Sequence, residues 1–231
     1  MKNQKSTILR PRDKEFDFHP LNNEEGFILH NLSLITINEI NSQVNNIKDN
    51  FKEATPHNRY LEGQIDNEYL VSPIPSLVME IIHIFKKLNP NPFQLYEDNI
   101  FNKILKTQPA TLSFSKMWIN FQKKYEYNPI HQHNGLYSFV VWHHLPFFIE
   151  NERDKGPGKN KSSINTNGCF SFNFKDYSSI NSCVLEVDKT WEGVVAIFPS
   201  PLPHQVYPFY TSEDYRITVS GNILIDYTKK I

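Results

Sequence analysis

The sequence predicts an α+β chain, mainly β, with helices in front and a closed or sandwiched β architecture behind. Three observations predict it. Two stretches before residue 90 carry apolar residues at helical spacing, short alternating runs follow from about residue 111, and Pro, Gly and Asn punctuate those runs. The 231 residues suffice for a single domain, 1–231, and with 39% hydrophobic and 13% aromatic residues they can fill a sizeable core.

Residues 1–25 are polar and charged and read as a loose arm. The opening MKNQKSTILRPRDKEF lacks the apolar centre of a signal peptide, and no run approaches membrane length, so the chain reads as soluble and cytoplasmic. Residues 26–110 read as a helical support. In TINEINSQVNNIKDNF, Thr36 and Glu39 form a capping-box signature, and Ile37, Ile40, Val44, Ile47 and Phe51 follow at helical spacing. In IPSLVMEIIHIFKKLNP, Pro75 suits an early helical position, Val78, Ile81, Ile82 and Phe85 make the buried stripe, and Asn89-Pro90 stops it.

Residues 111–231 read as the β core. TLSFSKMWINF alternates through Leu112 and Phe114, then through Met117, Ile119 and Phe121 after a one-residue phase shift, which predicts a bulge. Further strands are predicted at LYSFVVWHHL, CFSFNF, SCVLEV, GVVAIFPS, HQVYPF and YRITVSGNILI. The polar, Gly/Pro-punctuated stretch around 151–167 reads as a flexible insert, either a lid or a disordered loop. There is no internal repeat.

Composition narrows the function classes. With 24 Lys+Arg against 25 Asp+Glu there is no strong nucleic-acid signal and no membrane signal. The two cysteines, Cys169 and Cys183, lack metal-type spacing and read as small buried apolar residues.

The chemistry-bearing residues are histidines. In NPIHQHNG, His131 and His133 share a face if the backbone is extended, and two imidazoles on one face can meet at a metal ion; a polar strand end in water is the other reading. His204 follows an apolar strand in IFPSPLPHQVYPF, flanked by prolines that set its direction. In YRITVSGN, Arg216, Thr218, Ser220 and Asn222 share one strand face, and the simplest reading turns that face to water. His143 and His144, being adjacent, are expected on opposite faces, one at the barrel mouth and one toward solvent. His83 sits at a helix surface or core edge, and His19, His30 and His57 have no partner recognisable in the sequence.

The ordered set His131-x-His133, His204, Arg216, together with Trp118-x-Asn120 and the run from Phe198 to Pro208, resembles the iron(II)- and 2-oxoglutarate-dependent oxygenases, including relatives common in bacteriophages. The segment 57–71 also looks like the front half of these phage relatives. The resemblance implies a double-stranded β-helix, a jelly-roll, cupin-like core with the N-terminal helices packed on it and a metal at its open end. It implies His131, His133 and His204 as catalytic metal ligands, with Arg216 and Thr218 on the far carboxylate of 2-oxoglutarate and Asn120 donating to the cosubstrate. The implied cofactors are Fe(II), 2-oxoglutarate and O2, and the implied reaction hydroxylates an unidentified small molecule or side chain with release of succinate and CO2. A phage-encoded protein acting in the host cytoplasm fits the resemblance.

Two departures stand out. His133 fills a slot that is acidic in most of the superfamily, which leaves the site about one charge more positive. Ser138-Phe139 and Val141-Trp142 stand where relatives often carry Ser-Gly and paired tyrosines. His133 beside the metal rather than on it, a zinc hydrolase or isomerase on the same barrel, and a metal-free jelly-roll binding or structural protein stay open at this level, as do substrate and oligomeric state.

Overall fold

The Asn- and Ile-rich first helix has weak intrinsic propensity, so its stability must come from burial of one face. In the computed structural model, which describes residues 17–22, 25–58, 63–87, 111–157, 165–176 and 179–226, that face is found. Helix α1 (Leu34–Asp49) buries Ile40, Val44 and Ile47, and α2 (Pro75–Lys87) buries Leu77, Ile81 and Ile84, each at most 6% exposed. Each such side chain contributes about 1.5–3 kcal/mol, enough to outweigh the poor propensity. Ile37, Phe51, Val78, Ile82 and Phe85 pack around this core half-buried.

The caps differ from expectation. Ser33 is the N-cap of α1, its Oγ accepting from the Thr36 N–H at 3.4 Å. Glu39 does not close a box on its own helix; it accepts from the Ser76 N–H at 3.0 Å and so caps α2. Glu80 of α2 returns the favour, accepting from Ser33, Thr36 and His30. Burial pushes its carboxyl up, but these bonds outweigh burial and hold it below the usual range. The Asn89-Pro90 stop and residues 1–16 lie outside the described residues.

Eight strands form the body. β4 (Thr111–Gln122), β6 (Tyr137–His144), β9 (Val194–Pro199) and β11 (Arg216–Asp226) lie in one antiparallel sheet. β5 (Asn128–His131), β7 (Phe170–Asp176), β8 (Ser179–Leu185) and β10 (His204–Val206) make the other. The pairs are nested: β4 with β11, β5 with β10, β6 with β9, β7 with β8. A long hairpin wound on itself in this way is a jelly roll, the double-stranded β-helix that the resemblance implies. The expected bulge is present too, where the β4·β11 register slips between Asn222↔Lys116 and Leu224↔Ser113.

Three short strands extend the larger sheet. β1 (Asp17–Pro20) and β2 (Gly26–Asn31) continue it beyond β9, and β3 (Glu68–Val71) pairs with β4 at the opposite edge. β1 thus falls within the stretch read as an arm, and part of the support is sheet rather than helix. Within the stretch read as an insert, α3 (Ile149–Lys155) is helical, and residues 158–164 lie outside the described residues. Its Glu152, fully buried, accepts from the Tyr210 and Thr211 backbone N–H groups and so clamps the segment between β10 and β11.

Two apolar layers result. One joins the helices to the outer face of the larger sheet, and the other, rich in Phe and Trp, fills the space between the sheets. Cys169 and Cys183 are free, and burial pushes their thiols up to about 12 and about 11, which keeps them unreactive. No helix among the described residues is long and apolar enough to cross a membrane.

Candidate metal centre

Strand pairing brings His131 and His204 together, because β5 and β10 place them directly opposite each other. Their ring centroids are 4.3 Å apart. β5 ends at His131, so His133 is not in the strand as expected but in the turn beyond it. Its backbone N–H donates to the Ser200 carbonyl at 2.9 Å, and Gly135, at φ +148°, passes so close to Ser200 that a Cβ would lie 2.9 Å from Oγ. The turn therefore carries His133 back to within 5.0 Å of both other rings. One nitrogen from each of the three histidines lies within 4.8 Å of the others, a cluster able to hold a metal ion.

Hydrogen bonds orient the rings. His131 Nδ1 donates to the Pro129 carbonyl at 2.7 Å, and His204 Nδ1 to the Leu202 carbonyl at 3.0 Å. Each proton is thereby held on Nδ1, which leaves Nε2 as the ring acceptor, the usual device for a ligating imidazole. On His131 that acceptor takes the Asn128 amide at 3.2 Å, a bond that a metal ion at the centre would displace. Burial, reinforced by the charge of His131, pushes His133 down to about 4, and burial with the same neighbours holds His204 well below its ordinary value. Both are neutral at pH 7, as metal ligation requires.

The triad opens on a cavity of about 420 Å³ between the sheets. Arg216, Thr218, Ser220 and Asn222 all line it, so the polar row of the last strand faces inward and not to water, while Ile217, Val219 and Ile223 join the helix-side core. Trp118 and Asn120 line the same space from β4, Asn120 being the register partner of Thr218. Arg216 is only 1% exposed. Its Nη1 donates to the Tyr207 carbonyl at 3.2 Å, and its Cζ lies 5.8 Å from the Phe147 ring centroid, yet Nε and Nη2 are buried with no hydrogen-bond partner among the described residues. Burial pushes its pKa down to about 10, so it keeps its charge at neutral pH. A buried cation with two unused donors is costly unless an anion completes it, and a dicarboxylate is such an anion.

Residues 116–222, just under half of the chain, match the family model described as "Putative 2OG-Fe(II) oxygenase". This segment is similar to a 2OG-Fe(II) oxygenase core. The family's cofactors are Fe(II), 2-oxoglutarate and O2, and its chemistry is of the dioxygenase type. No curated protein matches the chain in sequence. Among solved structures, the chain is similar to a prolyl-4-hydroxylase of Pseudomonas putida at 12% identity and TM-score 0.49, covering 85% of this chain and 91% of that one. It is also similar to HygX of Streptomyces hygroscopicus, solved with nickel and 2-oxoglutarate bound, at 13% identity and TM-score 0.43, covering 89% and 84%.

The oxygenase core leaves His143 and His144 outside its cavity. The β6·β11 register slips at this point, pairing Thr218 with Trp142 but Ile217 with His144, and both imidazoles end up in a second cavity under α1. A bulge, which breaks strand alternation, overturns the expectation that they face opposite ways. His144 meets Glu192 at 3.1 Å and Asp214 at 3.3 Å. Burial, with the charge of His144, pushes His143 down to about 4. The unfolded chain takes up that proton near pH 6.5 and the folded chain only near pH 4, so stability is full above 6.5 and falls as pH drops between them. His143→Gln removes this share: the stability lost between pH 6.5 and pH 5 is expected to shrink by about 2 kcal/mol, read from urea midpoints.

One acid–base pair escaped the sequence. His57 Nδ1 meets Glu68 Oε1 at 2.8 Å, and both residues line the oxygenase cavity. His30 likewise has a partner, Glu80 at 2.9 Å. Nothing in the local pattern marks a Glu as buried, since that residue type is almost always exposed.

Proposed function

We propose that the chain is an Fe(II)- and 2-oxoglutarate-dependent dioxygenase that hydroxylates a C–H bond of a small molecule or side chain, releasing succinate and CO2. His131, His133 and His204 would hold the iron, which when bound supplies the centre at which O2 is activated. Arg216, with Thr218 beside it on the inward row, would grip the far carboxylate of 2-oxoglutarate, and Asn120 would stand by the cosubstrate. The Phe and Trp side chains between the sheets keep bulk water from the chamber, which guards the oxidising chemistry against side reactions.

The observation that carries this reading is Arg216, buried, charged and with two donors unspent. Three neutral imidazoles would suit zinc equally well. A guanidinium in the cavity wall with two unpartnered donors favours a dicarboxylate cosubstrate over the hydrolase reading, and the convergent rings favour a metal over the metal-free one. Anaerobic titration with Fe(II) and then 2-oxoglutarate tests the choice. A weak visible charge-transfer band, appearing only when both are present, is expected. Stoichiometric zinc in freshly purified protein together with indifference to 2-oxoglutarate would replace this reading by the hydrolase one.

A further inference from the structure

Two acceptor oxygens in the cavity wall have no hydrogen-bond donor among the described residues. Glu68 on β3 and Asn120 on β4 are register partners, so their side chains stand together on one face. Glu68 is 1% exposed. Burial pushes the Glu68 carboxyl up against the pull of His57, which holds Oε1, and of the Asn120 amide beside it; Glu68 Oε2 and Asn120 Oδ1 are still buried with no hydrogen-bond partner among the described residues. His57 in turn stacks on Trp118 at 5.4 Å and 22°, and Trp118 lies 5.6 Å from His133. The His57 imidazole and the Trp118 indole therefore link the acid to the metal cluster within a single chamber.

A buried acceptor without a donor is costly, and a fold keeps one where something else completes it. 2-Oxoglutarate cannot do so, because it brings only acceptors and negative charge. The completing molecule must bring N–H donors. Against a carboxylate out of reach of water it is best matched by a positive charge, since a charged donor makes the shorter and stronger bond. We propose that Glu68 is the anchor for the primary substrate and that the group it holds is a protonated amine or a guanidinium. This rests on the oxygenase reading above and names its substrate class. His57 acts as a positioning residue, fixing the carboxylate so that Oε2 is the oxygen offered to the substrate.

Thermal unfolding of the whole chain loaded with Mn(II) and 2-oxoglutarate tests the assignment, using L-arginine and L-lysine, each acetylated at its α-amine, against the equally acetylated L-citrulline and L-norleucine, whose side chains are neutral. Arginine or lysine is expected to raise the midpoint and the neutral pair is not. In Glu68→Gln the half-saturating concentration of the active cation should rise at least tenfold, while the shift produced by Mn(II) and 2-oxoglutarate alone stays the same. Equal shifts from cation and neutral counterpart, no shift from any of the four at millimolar concentration, or a cation shift untouched by the variant each overturn the proposal. If Glu68→Gln does not fold, Glu68→Asp takes its place, drawing the charge back by one methylene, and is expected to weaken cation binding in the same assay. A wild-type protein that fails to respond to Mn(II) and 2-oxoglutarate removes the oxygenase reading itself, a result distinct from loss of cation preference alone.

Discussion

Arg216→Met is expected to abolish tight binding of 2-oxoglutarate while leaving the protein without ligands as stable as wild type, or more so. The two effects have one cause. The guanidinium is almost fully buried with a single hydrogen bond among the described residues, to the Tyr207 carbonyl, and the charge of the buried Glu152 offsets only part of its burial cost. Exchanging it for an apolar side chain of similar length forfeits that bond, about 1 kcal/mol, and relieves a desolvation cost of at least that size. With the cosubstrate present the balance reverses. Truncating one partner of a buried, hydrogen-bonded charge pair costs about 2–5 kcal/mol, or roughly thirty-fold to several thousand-fold in affinity. Calorimetric titration of 2-oxoglutarate into Mn(II)-loaded protein reads the first effect and urea unfolding reads the second. Arg216→Lys should recover only part of the affinity, because an ammonium cannot present the planar fork. Wild-type affinity in the methionine variant would mean that the carboxylate is held elsewhere.

The second large effect is expected at His204, which is 4% exposed and oriented through its Nδ1 bond to Leu202. Loss of a mere orienting partner of a metal ligand costs about 10–100-fold in affinity, so His204→Ala, which on the proposed reading would remove a ligand outright, should cost more than 100-fold for Fe(II) or Mn(II). Metal that binds only the folded state adds about 2.7 kcal/mol when present at a hundred times its dissociation constant. Chelation should therefore lower the unfolding midpoint of wild type and leave that of His204→Ala unmoved. His133→Ala decides the composition of the centre. A loss as large as that at His204 makes His133 a ligand, and a loss within tenfold leaves it beside a two-histidine site.

Legibility in the sequence followed the range of the interaction involved. Helices α1 and α2, the six strands from β6 to β11 and the bulge in β4 are written in spacings of two to four residues, and they stand close to where those spacings put them. β2 is buried at five consecutive positions, Gly26 to His30, because sheet and helices cover it on both sides, so it shows no alternation to read. The cap of α1 was misplaced because Ser33 and Thr36 stand as suitably as Thr36 and Glu39, and only the approach of α2 sends Glu39 and Glu80 across the helix pair. His143 and His144 share a cavity because of a register slip that depends on the neighbouring strand.

By itself, then, the sequence determined α1, α2, β4 and the strands from β6 to β11, and which residue types are available for chemistry, since those depend on neighbours along the chain. Strand spacing left open which way the polar row from Arg216 looks, and the tertiary structure decided that it looks inward, that a turn and not a strand delivers His133, and that Glu68 is buried against His57. Each of these is settled by closure of one sheet over another, where the loss of water makes an unpaired charge or acceptor expensive and thereby gives it a role.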